Sequence, residues 1–263
     1  MIKLGFDCRI WEIKHGARGD LTQRTVLRNI RRDILSGHVL GAMLAPPCRS
    51  WGSVESKAVQ LRSVAEPWGR SDIQMTEAQS RTLAEDNRTM RSALRLIGWL
   101  DRLRLPWILE HPQASHIHWT KEFQKLRANS WTIECVLDQC RFGTAWRKRT
   151  RLVCSNVDPR ALDILRLRCS GSGGRCSVSG RPHAHDQAGT SVAHKQARTG
   201  PPSAYPPRLN RALARALSDS ARQDLTAAAF CGGRPRKRPP SPPVSEPVTL
   251  DLGVVYSSRA SSL

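Results

Sequence analysis

An α/β fold, with a mostly parallel sheet and helices on both of its faces, is what this sequence predicts, on three observations. Apolar runs of strand length alternate with longer amphipathic stretches along the first 155 residues, the order that builds strand–helix–strand units. The run at 39–45 is apolar throughout, as expected of a strand buried on both faces. All eight tryptophans lie before residue 150, which places the compact core in the N-terminal part of the chain.

Residues 2–13 read as the first strand, with Glu12 near its end. A turn follows at 15–19, and Asp20 is a good N-cap for a helix over 23–35 in which Val26, Leu27, Ile30 and Ile34 share one face. The strand at 39–45 is stopped by Pro46-Pro47 and followed at once by Cys48-Arg49-Ser50-Trp51-Gly52-Ser53. Two prolines cannot extend a ladder or enter a helix interior, so the chain turns there. Cys48 thereby stands at the carboxyl edge of the sheet, where open α/β sheets bind ligands. Residues 51–73 read as a long loop, and 76–103 as a helix with Leu83, Met90, Leu94 and Ile97 on its buried face. A third strand at 105–109 again runs into a polar site, Glu110-His111-Pro112. A loop and short helix at 115–126 precede a strand at 130–137. In the final strand, 146–155, alternation at period two puts Arg147, Arg149 and Arg151 on one face.

From Cys169 the composition shifts to Gly and Ser, with Cys169, Cys176 and His183 spaced through it. These are zinc-ligand types, but the six-residue gaps do not match the short-spaced pairs of common zinc sites, so no metal centre is expected. A helix starts at 207 and runs to about 217, or on to 229. Beyond Cys231 the chain is rich in Pro, Arg and Ser and reads as a disordered tail. Within it, Arg234-Pro235-Arg236-Lys237-Arg238 has the composition of a nuclear-import or phosphate-binding patch. The expected organisation is an α/β core over 1–158, a small Cys/His/Gly-containing region with a helix over 159–230, and a basic tail over 231–263.

Charge is the strongest compositional signal. Lys and Arg number 42 against 22 Asp and Glu, a net charge of +20 with a pI near 10.9. A polyanionic partner is the direct expectation, and arginine, which dominates here, is the side chain that forks onto phosphates. Mean hydropathy is −0.45, no run approaches the ~18 apolar residues of a membrane span, and the N-terminus lacks a signal-peptide core. Eight cysteines without a CxxC pair argue against a secreted disulfide framework. An intracellular protein, nuclear if eukaryotic, with no membrane partner and a monomer as the default, is therefore expected.

Each polar site also has a plainer reading. Cys48 alone could be a buried structural thiol, Glu12 a solvated strand-end charge, and the arginine strand a solvated edge. Their order decides between these readings. Pro47-Cys48 with Ser53, then Glu110-His111-Pro112, then Arg147-Lys148-Arg149-Thr150-Arg151 resemble the Pro-Cys nucleophile loop, the Glu-Asn-Val motif and the Gln-x-Arg-x-Arg strand of cytosine-C5 DNA methyltransferases. The resemblance spans roughly residues 5–155. It implies a Rossmann-like methyltransferase sheet and S-adenosylmethionine as cofactor, with DNA as substrate. By the same resemblance Cys48, Glu110, Arg149 and Arg151 are catalytic, and Glu12, Asp20 and Pro47 bind the cofactor. Arg49, Ser53, Arg147 and Lys148 contact nucleic acid. The family's glycine-rich loop belongs on a strand before the one that ends at Glu12, so the sheet is expected to be incomplete at its N-terminal side. Two other readings stand beside this one: a non-catalytic, basic nucleic-acid-binding protein on a relict methyltransferase fold, and a metal-stabilised interaction module built on Cys169, Cys176 and His183.

Overall fold

A computed structural model describes residues 7–12, 16–37, 39–52, 59–184, 205–230 and 251–256. Within them, β1 (Asp7–Trp11) leads through a 3-10 turn at Ala17–Gly19 to α1 (Arg24–Leu35) and β2 (Val39–Ala45). After the long loop come α2 (Glu77–Arg102) and β3 (Trp107–Pro112), then α3 (Lys121–Arg127), β4 (Thr132–Asp138) and β5 (Arg149–Ser155). Two more elements lie far along the chain, α4 (Pro207–Phe230) and β6 (Asp251–Tyr256).

The six strands form one sheet in the order β1-β6-β2-β3-β5-β4. Pairing is parallel from β1 across β6 and β2 to β3, and antiparallel where β5 lies between β3 and β4. The sheet is mixed, where a mostly parallel one is expected from sequence. The connection 139–148 between β4 and β5 is too short for the helical crossover that parallel neighbours need, so β5 must run back along β4.

Side chains alternate between two cores, as period-two geometry requires. Ala42, Leu44, Trp107, Leu109 and Val153 pack with Val26, Leu27, Ile30, Met90 and Ile97 of α1 and α2 on one face. Leu40, Met43, Ile108, Leu152 and Cys154 meet Leu209, Leu213 and Leu217 of α4 on the other. The sheet is thus buried on both sides. It also follows that α4 does not stand apart in a separate C-terminal region. It covers a face of the sheet, and its Ser220 hydroxyl accepts a 2.8 Å hydrogen bond from the Asp158 N–H.

Two local expectations change. Asp20 does not cap α1: the N-cap position is Gln23, without a side-chain bond, and the Asp20 carboxylate instead accepts from Thr22 N (2.9 Å) and Thr22 Oγ1 (2.7 Å) in its own turn. The tail is not disordered throughout, because Asp251–Tyr256 is a strand paired in parallel with both β1 and β2, with a shift of register against β2 between Val39 and Gly41. Its sequence, Asp-Leu-Gly-Val-Val-Tyr, is β-rich, but the Pro-rich stretch around 239–247 hides it from a composition argument. Ser53, the basic patch at 234–238 and the start of the predicted first strand lie outside the described residues. No helix among the described residues is long and apolar enough to cross a membrane.

Candidate active site

The carboxyl ends of β1, β6, β2 and β3 share one edge of the sheet, with Trp11 opposite Val255 and Ala45 opposite Tyr256. Cys48 follows β2 by three residues, and its carbonyl accepts the N–H groups of Trp51 and Gly52, both at 3.2 Å, closing a tight turn. Polar side chains fix this turn from behind. Asp86, wholly buried in α2, accepts from Arg49 Nη2 at 2.6 Å, from the Ser50 N–H at 3.0 Å and from the Ser50 hydroxyl at 2.7 Å. Arg62 lies over the Trp51 ring at 3.4 Å and donates to Ser50 O, Ser50 Oγ, Pro67 O and Asn87 Oδ1. Burial lowers the pKa of its guanidinium to about 10, against the pull of Asp86. On the far side the His116 N–H reaches Trp51 O at 2.8 Å. The turn that presents Cys48 is held on three sides.

In front of the turn stands Glu110, buried in β3. Its Oε1 lies 3.6 Å from Lys148 Nζ and has no hydrogen-bond partner among the described residues. Cys48, Glu110 and Lys148 act on one another electrostatically. Burial raises the pKa of the half-buried Cys48 thiol; the Lys148 ammonium pulls it down, while the Glu110 carboxylate and Asp86 push it up. Next along β3, His111 is wholly buried. Burial first, then the charges of His118, Lys148 and Arg62, hold its pKa well below the usual histidine value, against a favourable contact with the Pro47 backbone. The ring of His118, with its pKa lowered to about 4 by burial and by Arg151, lies 3.1 Å from Pro112 O. A half-buried thiol, an unsatisfied carboxylate oxygen and an ammonium form a set that can generate a nucleophile and grip an amino-bearing planar substrate.

The arginine strand differs from expectation. Arg149 and Arg151 share a face of β5 as predicted, but that face carries acids from β4: Arg149 Nε bonds Asp138 Oδ1 at 3.0 Å and Arg151 Nη1 bonds Glu134 Oε2 at 3.1 Å. Arg147 Nη2 bonds the Cys169 carbonyl at 2.6 Å. All three guanidiniums are engaged within the protein, and the basic group beside Glu110 is Lys148. Likewise Arg49, expected on nucleic acid, is turned onto Asp86. Sequence reasoning missed Asp86, although a signal was present: it falls between Leu83 and Met90 on the face of α2 predicted to be buried, and a buried carboxylate needs partners.

Of the expected cofactor residues, Glu12 is buried at the end of β1, packed so closely that a Cβ on Gly19 would come 2.0 Å from its carbonyl oxygen. Pro47 borders the Cys48 turn. The Asp20 carboxylate is taken by Thr22 and Gln23.

Just past the end of β4, Cys140, Cys169, Cys176 and His183 come together, with one ligand atom from each lying within 4.8 Å of the others. Burial, then contact with Cys169, pushes the Cys140 thiol up to about 12. Cys169 is buried as well, which raises its pKa, but the Ser177 hydroxyl and N–H outweigh this and bring it to about 6. Comparison of the chain with protein-family models, with curated proteins and with solved structures gives no match.

Proposed function

We propose that this chain methylates cytosine at C5 in DNA, with Cys48 as the nucleophile. The observation that carries the reading is the meeting of the Cys48 thiol, the Glu110 carboxylate and the Lys148 ammonium at the carboxyl edge of β2 and β3. Further support comes from the parallel run β1-β6-β2-β3, the part of the sheet in which a Rossmann-like arrangement would bind its ligands.

Cytosine C5 is a poor nucleophile, and the roles of these residues follow from that. The Cys48 thiolate adds to C6, and the C5–C6 electron pair moves to make an enamine that is nucleophilic at C5. Lys148 stabilises the thiolate against burial. Glu110, through its unsatisfied Oε1, accepts from the exocyclic amine and fixes the ring. Once C5 carries the new methyl group, solvent water takes the C5 proton, the C–H pair re-forms the C5–C6 double bond, and the C6–S bond breaks to release Cys48 as the thiolate. S-adenosylmethionine supplies the methyl group when bound. Glu12 fits its ribose end, being a buried carboxylate at the tip of a parallel strand, and Pro47 fits beside it; Asp20 does not fit, because its oxygens are spent on its own turn. Arg49 is a positioning residue, acting through Asp86 on the Cys48 turn.

Cytosine C6 is out of reach inside a duplex, so the base must be flipped out or already single-stranded. The +20 charge and the exposed arginines of α1 and α2, among them Arg28, Arg88 and Arg95, supply affinity for the phosphates. One observation favours the alternative of a non-catalytic DNA-binding protein: the raised pKa of Cys48 keeps the resting thiol protonated. Incubation of the full chain with DNA and methyl-labelled S-adenosylmethionine separates the two. Label in 5-methylcytosine, absent with Cys48→Ser, is the expected result. DNA that is bound but carries no label would leave only the binding reading.

A further inference from the structure

We propose that Cys140, Cys169, Cys176 and His183 form a closed, four-ligand zinc site that fastens the 169–183 loop to the end of β4. The site is independent of the methyl-transfer reading and rests on four observations.

Geometry comes first. The four ligand atoms lie within 4.8 Å of one another, with Cys169 Sγ and His183 Nε2 3.6 Å apart. Zinc–sulfur bonds of about 2.3 Å in a regular tetrahedron place ligands about 3.8 Å apart, so small side-chain movements suffice to close the site on a cation. Second, His183 is already oriented as a ligand. Its Nδ1 lies 2.9 Å from Gly174 O, which fixes the proton on that nitrogen and leaves the Nε2 lone pair directed at the sulfurs. Third, donors approach the sulfur as they do around a thiolate ligand: the Ser177 N–H is 3.3 Å and its hydroxyl 3.4 Å from Cys169 Sγ.

The fourth observation concerns what else could hold the loop. Between Cys169 and His183 the buried side chains are Cys169 and Cys176, and the one large aliphatic residue, Val178, is 60% exposed. Such a segment has no apolar core of its own and needs a staple. Its backbone is shaped to bring the ligands together. Cys176 N donates to Arg181 O (2.8 Å) and His183 N to Gly174 O (2.7 Å), while Gly173, Gly174 and Gly180 take positive φ angles. At Gly171 a Cβ would come 1.9 Å from Arg175 O. Four protein ligands leave no open position, so the metal is structural rather than catalytic.

The site adjoins the end of β4, where Asp138 links it to the start of β5. Cys169 donates its N–H to Asp138 Oδ2 at 2.8 Å and accepts from Arg147 at 2.6 Å, while Asp138 holds Arg149. The staple therefore fixes the strand entrance that carries Lys148. Sequence spacing cannot reveal the site, because Cys140 is distant in the chain and the sheet brings it in.

Elemental analysis of the full chain, purified from zinc-supplemented cells, tests this. Wild type should hold about one zinc per chain, and Cys176→Ser and His183→Ala should hold about tenfold less, while Cys8→Ser, altered at an exposed cysteine outside the cluster, retains the full amount. Cobalt exchanged into wild type, which needs no folded variant, should give the visible absorption and thiolate charge transfer of a tetrahedral site. Wild type that holds no zinc and shows no such bands would overturn the proposal. So would zinc content unchanged in both ligand variants, or peptide mapping that finds a disulfide among the three cysteines.

Discussion

At the residue scale the site turns on a balance of charge around one thiol. Burial and Glu110 push the Cys48 pKa up and Lys148 draws it down. Alkylation of Cys48 by iodoacetamide should therefore accelerate with a midpoint above the ordinary thiol value of 9.0, moving further up in Lys148→Met and down in Glu110→Gln. Shifts of one sign in both variants would show that neither group faces the thiol. The buried histidines give a separate, structural prediction. His118 has its pKa lowered from 6.5 to about 4, so the unfolded chain takes up a proton that the folded chain refuses. Its contribution to stability is intact above about pH 6.5 and falls as pH drops toward 4, by about 3 kcal/mol in all. Chemical denaturation across that range should show a shallower loss in His118→Gln than in wild type.

At the element scale, the Cys48 turn owes its shape to α2. Asp86 accepts from both Arg49 and Ser50, and Arg62 bonds Ser50 in turn. Asp86→Asn should destabilise the fold by about 2 kcal/mol in urea melts and lower the rate of Cys48 adduct formation, since it weakens the ion pair of the half-buried Arg49 and removes the nearby counter-charge of the buried Arg62. Most elements were legible from sequence for plain reasons. The apolar faces of α1 and α2 and the Pro-Pro stop after β2 are local signals, and the structure follows them closely. The place of Cys48 was legible too, because a polar residue directly after an apolar run marks a strand end; Glu110, read as standing just past such an end, instead lies inside β3 opposite Leu152, because β5 pairs with the chain as far as Pro112. What sequence could not supply was pairing across the chain. Nothing near Arg149 or Arg151 announces that β4 places Asp138 and Glu134 against them, or that Lys148, read as a nucleic-acid contact, stands at Glu110.

At the scale of the whole molecule, the sheet draws on both ends of the sequence. β6 comes from the last 13 residues and lies between β1 and β2, which the N-terminal half supplies. A chain ending at residue 230 would leave facing parallel edges of β1 and β2 without their shared partner. It should show a lower melting temperature and greater aggregation than the full chain, whereas an unchanged melting temperature would remove β6 from the fold.

The central claim is that Cys48 bonds covalently to cytosine, and mass spectrometry of a trapped complex tests it most directly. DNA carrying 5-fluorocytosine, incubated with the full chain and S-adenosylmethionine, blocks the final elimination because C5 then has no proton to lose. The tryptic peptide containing Cys48 should carry the methylated, fluorinated nucleotide, and Cys48→Ser should give none. An adduct on any other cysteine, or none on wild type that binds the same DNA, would contradict the assignment.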